Sequence, residues 1–381
     1  MEDKLSQLPD DILVSILSKL TLKEAVLTSF LSSRWRYIWT RVTRLNFNLV
    51  TEFCRKETLR HINWANHVLG LHKSSPLEEF TVSSLFHSSF QYEVDKLLKF
   101  ALSTKIQSLK IELIPLEWPD FTHIQPCLDL KRFREYLSSS PIFGFKNLKV
   151  LTLGGIDVDN QVVNIFLSSC PLLEQLSIRK SQVLKHLEIG PSLKLRHLEI
   201  YECNIDSLEI CNANIASFCF YGMEKTNLLL ENVTSVVNLQ IEIFRPSLPR
   251  LVELTTMKFT QLVKLSLEVD TCQYKITWSN TQIYIPSAPI IPYGPIRKLT
   301  WQNPYPHLKV VRYEGYLGGS ADNEFITYLV EKSLALEKFI VTPCDHSSYS
   351  NKSSKVERRS RNRAWRQLQG KVPKGVELVI L

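Results

Sequence analysis

The sequence predicts an α/β chain: three short helices at the front, a long stack of strand-bearing repeats, and a closing block of strands and a helix. Three observations carry that reading. Residues 5–39 are densely apolar at helical spacing. Ten copies of one six-residue pattern, apolar at its first, fourth and sixth positions, run from Leu77 to Leu267. Between residues 306 and 343 a strand-like, a helix-like and a second strand-like stretch follow one another.

At the front, Leu8, Ile12, Leu13, Ile16, Leu17 and Leu20 form a broad apolar stripe on one helical face. Pro9 suits the first turn, where a missing N–H costs nothing, and Asp10 and Asp11 set negative charge at the positive end of the helix dipole. Thr21 and Glu24 have capping-box spacing, which predicts a second short helix burying Leu22, Ala25 and Val26. A start at Ser32-Ser33, followed by Trp35, Ile38 and Trp39, predicts a third. So small a module cannot bury all this apolar surface within itself, so the excess should meet a partner. The other reading is a helical cap on the repeats behind it.

The run Leu8-Pro9-Asp10-Asp11-Ile12-Leu13, with Leu31-Ser32-Ser33-Arg34-Trp35-Arg36-Tyr37-Ile38-Trp39 after it, resembles the plant F-box. Thr21 stands where a proline is common, and Phe30 where a smaller aliphatic is common. The resemblance implies attachment to a Skp-type adaptor and, through it, to a cullin in an SCF-type ubiquitin ligase. The rest of the chain would select the protein to be ubiquitinated. The adaptor-binding residues it implies are Leu8, Pro9, Ile12, Leu13, Ile16, Leu17, Leu20, Leu27, Leu31, Trp35 and Ile38. They would bury roughly 800 Å² on the adaptor, a standard interface size.

Behind the front module, residues 44–48 read as a first strand and 55–72 as a helix. The six-residue pattern then starts at Leu77, Ile106, Leu148, Leu173, Leu184, Leu195, Ile205, Ile215, Val236 and Leu262. This L-x-x-L-x-L is the strand segment of a leucine-rich repeat, whose coils bury their apolar sides only against neighbouring coils. Up to residue 173 the starts are far enough apart for a helix in each coil, with candidates at 91–103, 131–139 and 160–169. From 173 to 215 they lie 10 or 11 apart, too close for a helix. Two segments then share one coil of about 21 residues, one strand on each side of the stack, or else the stretch is an antiparallel meander. The residue between the last two apolar positions should face a concave surface. Candidate substrate contacts are therefore Thr152, Ser177, Glu188, Glu199, Glu209, Cys219 and Gln240.

Six prolines between residues 283 and 306 make an irregular connection. Trp278, Tyr284, Tyr293, Trp301 and Tyr305 around it are either contacts for a protein partner or rings folded back onto the repeats. The block at 306–343, with Ile326, Leu329 and Val330 facing inward, resembles the FBD region of plant F-box/leucine-rich-repeat proteins. Residues 376–380 should add an edge strand. The domains are accordingly 1–45 (F-box), 46–282 (leucine-rich-repeat solenoid), 283–305 (connection) and 306–381 (FBD-like cap). Within the cap, residues 352–366 hold seven basic residues against Glu357 alone. That run is either a nuclear-import signal or acidic-partner contact, or the wet face of a terminal helix whose Trp365 and Leu368 face the core.

Removing that run's +6 from the net +8 leaves a nearly neutral body, which argues against broad nucleic-acid binding. There is no apolar run long enough to span a membrane, and the acidic, polar start is not a secretory signal. The eight cysteines include no C-x-x-C pair and read as small buried hydrophobes of a reducing compartment, cytoplasmic and/or nuclear. Gly-rich phosphate loops and the common hydrolase and zinc motifs are missing. His186 and His197 occupy one repeat position rather than a ligand pair, and Asp345-His346-Ser347 are consecutive, not convergent. The expectation is a non-catalytic receptor subunit without cofactor or metal, or alternatively a repeat scaffold that binds protein without any ligase.

Overall fold

The computed structural model describes residues 7–49, 55–73, 76–86, 88–115, 127–139, 142–191, 194–223, 225–244, 259–270, 277–278, 281–282, 305–316, 318–343 and 353–381. The chain forms two compact units, residues 1–185 with 193–195, and residues 186–192 with 196–381. The proline-rich connection and Asp345-His346-Ser347 fall outside the described residues, save Tyr305 and Pro306.

The first unit opens with α1 (Asp10–Leu17) and α2 (Leu22–Leu27). Pro9 precedes α1 in an extended conformation, and Thr21 and Glu24 close the expected capping box on α2. The third helix starts later than Ser32-Ser33 and is a 3-10 helix, Trp35–Arg41. Its side chains favour the tighter winding: Trp39 Nε1 and Thr40 Oγ1 donate to the carbonyls three residues back, of Arg36 and Tyr37. Five parallel strands follow in the order β1 (Arg44–Asn48), β2 (Leu77–Phe86), β3 (Ile106–Pro115), β4 (Val150–Gly154), β5 (Gln175–Arg179). Between them run α3 (Arg55–Leu71), α4 (Gln91–Ser103), α5 (Leu130–Ser139) and α6 (Asn160–Ser169), as the wide repeat spacing requires. Asp159 caps α6 by accepting from Val162 N at 3.0 Å.

The first coil is tied to the helical front by backbone bonds from Lys73 N to Thr40 O and from Glu78 N to Thr43 O, both 2.8 Å. His72 Nε2 donates to Val42 O at 2.9 Å, and burial holds its pKa below the ordinary imidazole value. Folding therefore favours the neutral ring, so its contribution is complete above the unfolded pKa of about 6.5 and is lost as pH falls through the lower folded value. Unfolding midpoints of the first unit should drop on acidification below about pH 6.5, and His72→Gln should flatten that part of the profile. An unaltered profile in the variant would remove this role.

In the second unit the narrow spacing resolves into two sheets. β6 (His186–Ile189), β8 (Ser207–Cys211) and β10 (Asn227–Glu231) form one, in the order β10-β8-β6. β7 (His197–Tyr201), β9 (Ser217–Met223), β11 (Asn238–Phe244) and β12 (Lys264–Asp270) run side by side in the other. Every pairing among these is parallel, which rules out the meander and leaves the two-strand coil. Leu187, Leu208 and Leu228 stand in register on one sheet, and Leu198, Phe218 and Leu239 on the other. All six are buried, so each coil covers its apolar side on the next. The coils leave their strands through left-handed residues: Glu202, Asn212 and Asn232 have φ of 51°, 54° and 54° and directly follow β7, β8 and β10. Asparagine tolerates this conformation, and Asn232 Nδ2 donates to Asn212 Oδ1 at 2.9 Å, joining successive turns.

A short antiparallel pair, β13 (Thr277–Trp278) and β14 (Thr281–Gln282), precedes the C-terminal block. There β15 (Val310–Tyr316) joins β12, followed outward by β16 (Lys338–Pro343) and the edge strand β17 (Glu377–Ile380), with α7 (Ser320–Lys332) between β15 and β16. Phe325, Ile326, Leu329 and Val330 of α7 are buried. Tyr313 OH donates to buried Asp322 at 2.8 Å, and the Asp322 carboxylate also accepts from Gly319 N, fixing the helix start on the sheet. The terminal helix α8 (Ser353–Leu368) packs Ala364 and Leu368 inward, one helical turn apart. Trp365 is 45% exposed, not core-facing, because it lies about 100° around the helix from Ala364.

Candidate functional site

The helical front divides its apolar residues between two faces. Leu13, Leu17, Leu22, Ala25, Trp35, Ile38 and Trp39 are buried and hold the helices together. Ile12, Ile16, Leu20, Leu27 and Leu31 are exposed, Pro9 is exposed and Leu8 is half-buried. The sequence reading sent the whole stripe to a partner, and that needs correcting for four positions. Leu13, Leu17, Trp35 and Ile38 are the module's own core, since a helix with an apolar arc this broad turns half of it inward. Two exposed aromatics were missed: Phe30, 84% exposed, and Tyr37, 64% exposed. Tyr37 follows from the buried Trp35, Ile38 and Trp39, which leave it on the opposite side of their helix.

Polar contacts set the pose of this face. Arg34 pairs with Asp10 at 2.9 Å and donates to Leu8 O, and Arg41 reaches Asp10 and Asp11 at 3.4 and 3.2 Å. The start of α1 is thus clamped to the third helix. Ser18 Oγ accepts from Thr43 N at 3.0 Å, anchoring its other end. Glu24 is held below the usual carboxylate range, first by its hydrogen bond from the Thr21 hydroxyl. What remains outward is a set of large apolar side chains among exposed charges such as Lys19, Lys23 and Arg36, more apolar surface than a module of this size needs to leave open.

The family model described as the F-box domain matches residues 5–47, and the one described as At1g61320/AtMIF1, LRR domain, matches residues 68–277, more than half of the chain. This is an F-box/leucine-rich-repeat protein.

Among its Arabidopsis thaliana relatives, F-box/FBD/LRR-repeat protein At5g56420 is 25% identical over 90% of the chain and 92% of its own length. F-box/FBD/LRR-repeat protein At1g13570 is 32% identical over 46% of the chain and 44% of its own length. F-box/LRR-repeat protein At3g03360 is 27% identical over 63% of the chain and 52% of its own length. The chain therefore spans about half the length of two of these relatives and most of the third.

The repeats of this F-box/LRR protein expose fewer of the expected residues than the sequence suggested. Thr152 and Ser177 are in register on the first unit's sheet but buried, 7% and 1% exposed. Glu188 and Glu209 lie on the β10-β8-β6 sheet, since the six-residue pattern is the same for both sides of a coil. Glu199, Cys219 and Gln240 do share one register row across β7, β9 and β11. Beside them the rings of Tyr201 and Tyr221 pack at a tilt of 32° with centroids 5.0 Å apart. His186 and His197 fall on different sheets, and among the described residues no three metal-ligating side chains converge. No described helix is long and apolar enough to cross a membrane.

Proposed function

We propose that this protein is the substrate-recognition subunit of an SCF-type ubiquitin ligase. Its F-box docks on a Skp-type adaptor, through it on a cullin, and its repeats hold the protein to be ubiquitinated. The observation that carries the reading is the exposed apolar set Ile12, Ile16, Leu20, Leu27, Phe30, Leu31 and Tyr37 on a module whose own core is already complete. Such a subunit needs no reacting group of its own. Its contribution is proximity, holding a substrate lysine near ubiquitin carried elsewhere. Residues 306–381 are read as an FBD-like cap closing the repeats, in keeping with the FBD named in At5g56420.

Titration of the full chain with a purified plant Skp-type adaptor tests the docking. Ile16→Asp with Leu20→Asp should weaken binding at least tenfold, as a carboxylate stripped of water has no partner in an apolar interface. The unfolding midpoint should not move, because both positions are exposed. Equal affinity in the variant would leave only a repeat scaffold acting without a ligase.

A further inference from the structure

β17 is the last strand of its sheet, and Glu377 N and Leu381 N donate to Glu337 O and Val341 O at 2.9 and 3.0 Å. Backbone groups of successive strand residues turn to opposite sides, so Leu378 and Ile380 direct their N–H and C=O away from β16. Among the described residues no strand pairs with them there. Their side chains are half-buried, whereas the residues in register with them, Phe339 and Val341 on β16, are buried, as are Val311 and Tyr313 on β15. The apolar interior of the last coil is therefore partly open. The strand carries one charge, Glu377, while Pro373 and Lys374, residues that guard an edge, precede the strand and do not interrupt it. The helix α8 packs on β16 and β17 and adds a large side chain at the same end. Gln367 accepts from Tyr316 OH at 2.8 Å and donates to Gly318 O at 3.1 Å, which turns its flank of the helix toward β15. Trp365 lies about 160° around the helix from Gln367, on the flank turned to the open end, and stays 45% exposed.

We propose that this end accepts an extended segment of a partner protein as an added strand, apolar at alternate positions. The ladder itself specifies the occupant. From β7 onward each strand of this sheet sets two apolar residues, one apart, in register with those of its neighbour. The added strand continues the rule, with its own apolar pair beside Leu378 and Ile380. Main-chain hydrogen bonds to these two residues supply affinity, and the half-open interior selects the side chains. Trp365 closes over the new strand from the helix side, a role in which an exposed tryptophan is an effective anchor. A second copy of this chain fits less well. Antiparallel pairing of two β17 strands sets their α8 helices side by side, and residues 352–366 of each copy carry seven basic residues against one acidic. The F-box residues take no part, so this surface stands or falls apart from adaptor docking.

The test uses the full chain and two fluorescent ten-residue peptides, one alternating Val with Thr and one alternating Ser with Thr, read by anisotropy. The Val/Thr peptide should bind at least tenfold more tightly. Ile380→Pro removes an outward N–H and keeps the bonds to β16, a change an edge strand tolerates, and it should weaken that peptide at least tenfold. Ile380→Val keeps the N–H and should stay within threefold of the native chain, while Trp365→Ala should lose at least threefold. Thermal unfolding checks each variant. Should Ile380→Pro fail to fold, hydrogen–deuterium exchange of the native chain decides: the Val/Thr peptide should slow it over residues 377–381. Equal binding of the two peptides overturns the proposal, as does exchange over that strand that the bound peptide leaves unchanged. A native chain that sediments as a dimer, and as a monomer with Ile380→Pro, also overturns it, in favour of a second copy.

Discussion

Truncating Leu13 to alanine should destabilise the F-box by about 2–5 kcal/mol, whereas the same truncation at Ile16, less than one turn away, should change stability by no more than about 0.5 kcal/mol. Leu13 is 0% exposed and Ile16 is 39% exposed, although both belong to one apolar stripe in the sequence. Removing Leu13 leaves a cavity between α1 and the Trp35–Arg41 helix that a module of this size has little spare stability to absorb. Urea unfolding of the two variants, with adaptor titration alongside, separates the roles. Leu13→Ala should lose stability and, where it unfolds, binding as well. Ile16→Ala should lose affinity alone. Equal destabilisation by the two would contradict the division of the stripe into a core face and a docking face.

That division also marks the limit of what the residues disclose before folding. Period and capping place the helices well: Pro9 and the Thr21–Glu24 box stand at the starts of α1 and α2. The six-residue pattern is just as direct, each of its ten copies ending in a strand, because two apolar side chains one residue apart can both be buried only on an extended backbone. Spacing alone separated coils closed by a helix from coils closed by a second strand, and β6 to β11 follow it. What periodicity does not carry is the identity of the neighbour. Leu187 and Leu198 sit in identical local patterns yet line opposite sheets, so Glu188 was assigned with Glu199 although the two face different ways. Place in the strand puts Thr152 and Ser177 on an outward row, yet both are buried. Trp365 was sent inward by its apolarity, while the helix needs only Ala364 and Leu368 to dock. The β10 strand (Asn227–Glu231) escapes the pattern because the position three before its buried Leu228 is the exposed Lys225 rather than an apolar residue, and the buried Thr226 comes one place later.

Gly155→Ala should cost about 2–5 kcal/mol, combining about 1–2 kcal/mol for a left-handed alanine with about 1–3 kcal/mol for forced backbone movement. Gly155 has φ of +68°, and a Cβ built on it would stand 2.1 Å from Leu113 O. Relaxation is blocked from two sides, because Gly155 N donates to Arg179 O at 3.0 Å and Gly155 O accepts from Cys127 N at 2.8 Å. A shift large enough to admit a methyl group therefore disturbs the ends of β3, β4 and β5 together. The ion pair between Glu112 and Arg179, 2.7 Å long, arches over Gly154 in the same place and should weaken with it. Gly190→Ala supplies the comparison: nothing lies within 4 Å of its Cβ position, so it should be neutral or gain about 0.4–1 kcal/mol from a stiffer unfolded chain. Urea midpoints that fall for Gly155→Ala and hold or rise for Gly190→Ala are the expected result. Similar midpoints for both would mean that the turn after β4 can open, and that the close approach of Gly155 to Leu113 is not what fixes the edges of these three strands.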